Sequence, residues 1–276
     1  MDFDTKTASD YPIPDLVEIL NRGFEGYFVL IAFDVTAFLN MLRKDGIDLS
    51  ISRVLFADGG PTGIALLARR GTLRASRLAA MGIVPEFRGR GAGSWFMERL
   101  INEACERGEH EMVLEVIKQN EPAVHLYEKC GFQIVRKLIS FSRKDAIEDE
   151  PHELHEMDLR EAGRLISQYG LSDLPWQLSG ETIAQLNPPA RAYSNGQVCL
   201  VISNPEAKDV VIWSLLVEPV ASENELALGL LKSVIAAYPG RTWHVPALLP
   251  EELGNVYERA GFIREELSQW QMKLSL

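Results

Sequence analysis

The chain has 276 residues, 46% of them apolar and 24% charged, and a formal net charge of −11. That length suits two ordinary domains, the composition supports a packed core, and the charge argues against a general nucleic-acid binder. No run approaches the roughly 18 consecutive apolar residues of a membrane helix, and "MDFDTKTASDYP" lacks the basic and apolar regions of a signal peptide, so a cytoplasmic protein without a membrane partner is expected.

The first half alternates element types. "DLVEILNRGF" (15–24) and "VTAFLNMLRK" (35–44) carry helical periodicity. "RVLFAD" and "TGIALLARR" are apolar runs joined by Asp58-Gly59-Gly60-Pro61, a hairpin signal. "RASRLAAMGIV" reads as the next strand, and 93–108 as an amphipathic helix closed by Gly108. "MVLEVI" (112–117) is too short for a helix and reads as a strand. "EPAVHLYEKC" (121–130) is a helix with Pro122 in its first turn and Gly131 at its end. "FQIVRKLISFSRK" returns to strand. "DAIEDEPHE" (145–153) holds five acids and a proline and reads as a linker.

The second half repeats this order. "DLREAGRLISQY" is helical, and "ARAYSNGQVCLVIS" is a hairpin around Asn195-Gly196. "VVIWSLLVEP" is a strand, "ENELALGLLKSVIAAY" a helix, and "VPALLPEELGNVYERAGF" a strand-to-helix passage. The repeat shows in the letters too: "LYEKCGF" (126–132) matches "VYERAGF" (256–262). Two copies of one α/β unit account for both length and pattern, with a boundary expected between 146 and 147, giving domains 1–146 and 147–276.

Metal and disulfide chemistry are not expected. Cys105, Cys130 and Cys199 are widely spaced, in no CxxC pattern, and read as buried reduced thiols. The five histidines have no ligand spacing, and His152 and His155 fall in or beside the charged linker.

The chemistry concentrates at "MGIVPEFRGRGAGSWF" (81–96). Glycines between a strand and a helix let backbone N–H groups converge, the helix dipole adds positive potential, and Arg88 and Arg90 add forked donors. A pyrophosphate suits such a place, yet neither GxGxxG nor GxxxxGK[ST] is present, and a solvated turn fits the bare residues equally well.

Further residues decide between the two. Arg88-x-x-Gly91-x-Gly93, then a strand, Asn120, Ala123, Leu126-Tyr127 and Gly131-Phe132 together resemble the GCN5-related N-acetyltransferase (GNAT) family over about residues 1–144. The resemblance implies an α/β (α+β) fold: two tandem domains, each a mixed, mostly antiparallel sheet flanked by helices. It implies acetyl-CoA as cosubstrate, with the pyrophosphate on Arg88, Gly89, Arg90, Gly91, Ala92, Gly93 and Ser94. The pantetheine arm then runs along Gly82, Ile83 and Val84, where two strands splay, with Asn120 bonded to it and Tyr127 near the thioester sulfur.

Amide formation needs an acceptor amine stripped of its proton and a leaving thiolate that gains one. Tyr127 is the expected acid, and Glu115 the expected base, since it alternates with Val113 and Ile117 on one covered strand face. Glu25, in "GFEGYF", is the second candidate base, with Phe24, Tyr27 and Phe28 lining a pocket or capping the core. His125 is expected on the surface. Cys130 has no evident base beside it.

In the second half Ser222, Glu225 and Ala227 stand where Arg88, Gly91 and Gly93 stand in the first, Glu223 and Glu225 would repel a pyrophosphate, and Pro250 replaces Asn120. Tyr257 is retained. This half is expected to be a degenerate copy that does not hold CoA. Its tryptophans, Trp176, Trp213, Trp243 and Trp270, form an aromatic acceptor wall or pack the core. The expected activity is N-acetylation of a small-molecule or peptide amine by direct attack in a ternary complex, by a monomer or homodimer. The competing expectation is an acetyl-CoA-binding regulatory module without turnover.

Overall fold

The computed structural model describes residues 2–28, 32–70, 73–144, 154–217 and 223–276. The linker 145–153 lies outside them. The chain forms two compact units, 1–135 with 270–276, and 136–269. The division differs from a single cut near 146, because the last strand returns to the first unit.

The first unit runs β1 (Asp4–Thr7), α1 (Ile13–Gly23), α2 (Val35–Asp45), β2 (Arg53–Ala57), β3 (Gly60–Arg70), β4 (Ala75–Ile83), α3 (Ala92–Glu106), β5 (Glu111–Ile117) and α4 (Glu121–Lys129). Strand β6 (Gln133–Arg143) leads out of it. Local chemistry sets the boundaries. Pro14 sits in the first turn of α1, whose Leu16, Val17, Leu20 and Gly23 fall on one buried stripe. Asp34 caps α2 by accepting from the Ala37 N–H at 2.7 Å, and Gly46 ends it in the left-handed region. Asp58 and Gly59, both at positive φ, close the β2–β3 hairpin.

Strands β1 to β5 pair in chain order, all antiparallel except β4 with β5. Alternate residues Ala65 and Leu67, Met112 and Leu114 join Phe96, Met97 and Leu100 of α3 in one apolar cluster. The end of β12 (Ile263–Ser275) lies beside β5 and completes this sheet. Met272 is fully buried in the same cluster, with Trp270, Leu274 and Leu276 packed against it, and the Leu276 N–H donates to the His110 carbonyl at 2.9 Å.

The second unit contains β7 (His155–Met157), α5 (Leu159–Tyr169), α6 (Gly180–Ile183), β8 (Arg191–Ser194), β9 (Val198–Ile202), β10 (Asp209–Val217), α7 (Glu223–Ala237), β11 (Thr242–Pro250), α8 (Asn255–Arg259) and the first part of β12. Its strand order is β12-β6-β11-β10-β9-β8-β7. Here too one pair is parallel, β10 with β11. Its core gathers Phe141, Leu200, Leu231, Val234, Trp243 and Tyr257. Each unit is thus a mixed, mostly antiparallel sheet flanked by helices.

Two sequence expectations need correction. Of the three cysteines only Cys199 is buried; Cys105, in the last turn of α3, is exposed, and Cys130, which follows α4, is intermediate and packs against the apolar cluster on one side. The stretch after Phe262, assigned no element from its sequence, is the long strand β12.

Met272→Ala should cost about 2–5 kcal/mol, the range for emptying a packed core position. Urea unfolding monitored by circular dichroism measures it, and a loss below about 1 kcal/mol would mean that the returning strand is not part of the core.

Candidate active site

The site is built on a place where a sheet comes apart. Parallel pairing of β4 and β5 runs from Ala75↔Glu111 to Leu78↔Leu114 and stops. On the other side of β4, Leu67 faces Leu78 and Leu66 faces Ala80, which leaves Ala79 as an extra residue. Such a bulge bends the strand that carries it. From Ala79 onward β4 stays with β3, and among the described residues its edge toward β5 has no strand partner.

The far end of β4 is held by glycines. A Cβ on Gly82 would lie 3.0 Å from the Gly23 backbone, and a Cβ on Gly23 3.0 Å from that of Gly82. The C-terminal end of α1 therefore crosses β4 backbone against backbone. Arg88 ties the crossing. Its Nε donates to the Ile83 carbonyl at 2.8 Å, and its Nη2 to the Gly23 carbonyl at 3.0 Å. The structure gives this guanidinium a bracing task, where the resemblance implies a cofactor contact.

Just beyond it, Gly89 and Gly91 take φ of 71° and 85° and open α3. The first helical bond is the Trp95 N–H to the Gly91 carbonyl, 3.1 Å. The amides of Ala92, Gly93 and Ser94 precede it and have no intrahelical acceptor. A Cβ on Gly93 would meet Leu126 of α4 at 3.1 Å, so this glycine lets the two helices approach. Arg90 is exposed, its guanidinium 5.9 Å from the Phe87 ring centre.

Asn120 caps α4, its side chain accepting from the Ala123 N–H at 3.4 Å. Tyr127 of the same helix is 8% exposed, with its ring edge-to-face with Phe132 at 5.8 Å. Burial raises its pKa above the ordinary 10.0, and Tyr27 and Cys130 nearby raise it further. Among the described residues no hydrogen bond engages its hydroxyl. Tyr27 also bonds the Asn120 side chain, which lowers its pKa against a larger rise from burial. The geometry thus brings Tyr27, Asn120 and Tyr127 together. Tyr27 was read only as a pocket or core aromatic; its signal was the cluster Phe24, Tyr27 and Phe28, whose rings contact edge to face at 5.0 and 5.7 Å.

The two candidate bases are placed differently. Glu115 is an ion-pair partner: its Oε2 accepts from Arg77 Nε and Nη2, both at 2.8 Å, with side-chain exposures of 5% for Arg77 and 2% for Glu115. Glu25 is exposed and lines an open groove of about 670 Å³ with Glu18, Asn21, Arg22 and Asp34. His125 is on the surface. Burial also raises the pKa of Cys130. Among the described residues no group of three or more His, Cys, Asp or Glu could hold a metal, and no helix is long and apolar enough to cross a membrane.

The second unit keeps the frame and changes its filling. Tyr257 is 2% exposed and stacks on Phe141, with Phe262 at its edge. Residues 218–222, the counterpart of the glycine loop's entry, lie outside the described residues, as do the side chains of Glu223 and Asn224. Glu225 pairs with Arg259. The tryptophans are dispersed: Trp176 and Trp243 are buried, Trp213 lies on β10, and Trp270 belongs to the first unit with Lys118 over its ring.

Residues 13–132 match the acetyltransferase (GNAT) family. Over the whole length the fold is that of a GCN5-related N-acetyltransferase from Sphaerobacter thermophilus, with a TM-score of 0.70 at 16% identity, covering 99% of this chain and 95% of that one. A tandem GNAT protein from the clavulanic acid biosynthesis pathway gives 0.68 at 16% identity, covering 99% and 98%. In sequence the chain is similar to the L-amino acid N-acyltransferase MnaT of Escherichia coli (strain K12), 35% identical over 54 residues, 20% of this chain and 31% of that protein. The chain spans between 21% and 48% of the curated relatives it matches. The match to the GNAT family thus lies in the first unit, and the two-unit fold is that of tandem GNAT structures.

Removing one partner of the Arg77–Glu115 pair leaves a buried charge without its counter-ion, so Glu115→Ala should cost about 3–5 kcal/mol in chemical unfolding. The double variant Arg77→Leu/Glu115→Leu should cost less than Glu115→Ala alone. A loss in the double variant equal to the sum of the losses of Arg77→Leu and Glu115→Leu measured singly would show that the pair is not coupled.

Proposed function

We propose that the first unit transfers an acetyl group from acetyl-CoA to a primary amine of a small molecule or peptide, in the cytoplasm and without a metal. The observation that carries this reading is Tyr127: a buried tyrosine whose hydroxyl no hydrogen bond engages among the described residues, on the helix capped by Asn120 and packed on the glycine loop through Leu126 and Gly93. The loop fits a pyrophosphate by its backbone. Gly89 and Gly91 hold a conformation that turns successive amides to one side, and the open first turn of α3 adds its own. Gly89 to Ser94, with Arg90, would hold the diphosphate, and the open edge of β4 at Gly82, Ile83 and Val84 would take the amide-bearing arm. Arg88 serves by bracing that edge.

Acetyl-CoA, when bound, supplies an activated acyl carbon. The residues of the chain do the rest. Asn120 and Tyr27 orient the reacting groups, and Tyr127 Oη gives its proton to the departing sulfur. Because burial raises the Tyr127 pKa, its hydroxyl keeps that proton throughout the pH range of a folded protein. Glu25 is the better base of the two carboxylates. It is exposed and lines an open groove, whereas Glu115 is engaged by Arg77. The second unit contributes no acid–base chemistry in this reading, since Tyr257 is packed between aromatic rings.

A CoA-release assay against a panel of amines and peptides tests the function. Tyr127→Phe should lower kcat about 10²–10⁴-fold, the usual worth of a general acid, while calorimetry finds acetyl-CoA affinity unchanged. Acetyl-CoA binding with no release for any amine would instead support the regulatory module. In the wild type kcat/KM should rise with pH as the acceptor loses its proton, with no fall up to pH 10 assignable to Tyr127; an alkaline limb abolished by Tyr127→Phe would overturn the raised pKa.

A further inference from the structure

The second unit repeats the parting of strands and then leaves the space open. Parallel pairing of β10 with β11 runs from Asp209↔Thr242 to Val211↔His244 and ends. On the β9 side Ile212 faces Ile202 and Ser214 faces Val201, so Trp213 is the extra residue, as Ala79 is in β4. Among the described residues β10 pairs only with β9 from Ser214 onward, and its other backbone edge has no strand partner.

What differs is the crossing helix. In the first unit Gly23 and Gly82 let α1 lie against β4. Counting from the two bulges, Leu216 stands where Gly82 does, and α5 ends in Tyr169 instead of a glycine. The close glycine contact of α5 is made with α6, where a Cβ on Gly163 would meet the Gly180 carbonyl oxygen at 2.5 Å. A cavity of about 350 Å³ remains between α5, β10 and the end of β11. Ile166, Leu174, Leu178, Trp213 and Leu249 line it, with no charged side chain among its walls.

The mouth is apolar and fixed. Leu171 and Leu253 line the cavity, yet 40% and 37% of their surface is exposed. Arg136 pairs with Asp173 on one side and Glu252 on the other, joining the segments that carry these two leucines. Water in such a space finds few partners, and apolar surface left at its mouth gains by being covered.

We propose that this cleft binds an uncharged, predominantly apolar small molecule, and that the unpaired edge of β10 offers it one or two main-chain hydrogen bonds. The volume sits at the lower end for ligand pockets, which suits one or two rings or a medium-length alkyl chain. The second unit is then a ligand-binding unit in its own right, specific for apolarity where the glycine loop of the first unit is suited to phosphate.

The probe is N-phenyl-1-naphthylamine, whose fluorescence rises in apolar sites, titrated into the full chain. Saturable binding at one site per chain is expected, with 1-decanol displacing the probe at least tenfold more effectively than decanoate. Leu171→Asp and Leu253→Asp place a charge at the mouth on exposed positions, and each should weaken probe binding at least tenfold without changing the unfolding temperature. Non-saturable fluorescence, or both variants binding as the wild type does, would overturn the proposal. Equal displacement by decanoate would overturn the preference for an uncharged ligand.

Discussion

A single extra residue, Ala79, governs the first unit. Up to Leu78 the strand β4 is locked between β3 and β5; beyond it the bulge turns the strand away, and among the described residues the β5 side has no strand partner. Unpaired backbone in a protein interior is costly unless something fills it. The surrounding features answer to that opening. The Gly23–Gly82 crossing and the Arg88 brace hold the bent strand in place, the glycine loop begins α3 beyond it, and α4 carries Asn120 and Tyr127.

The same device in the second unit shows how much the filling matters. Trp213 replaces Ala79 at the bulge, Leu216 replaces Gly82, and α5 leans on α6. The bulge and the order of strands are kept, while the opening of the second unit is walled by aliphatic and aromatic side chains. The tyrosine that both units share follows the same split. Among the described residues no hydrogen bond engages the Tyr127 hydroxyl, and its ring meets Phe132, whereas Tyr257 lies among Phe141 and Phe262 as a core residue.

Much of this was legible in the residues. Helix caps, the Asp58-Gly59 turn, Gly131 and the order of elements are local signals, and local signals survive folding. The repeat "LYEKCGF" and "VYERAGF" announced two units. Three things were not legible, each for the same reason: they depend on partners distant in sequence. Nothing in "RASRLA" says that Arg77 will hold Glu115. Nothing in "PEFRG" says that Arg88 will bond two carbonyls rather than face solvent. The alternation in "IREELSQWQMKLS" is interrupted by polar residues on both faces, so β12 reads as irregular until β5 and β6 are seen beside it.

That last strand also orders events in time. Met272 and its neighbours are synthesised only after the whole second unit, yet they complete the core of the first. On the ribosome, β5 waits with one edge unsatisfied while the chain that follows is made and folds. The order of synthesis is therefore not the order of completion: the first unit begins first, yet part of its core is supplied only after the second unit has been made.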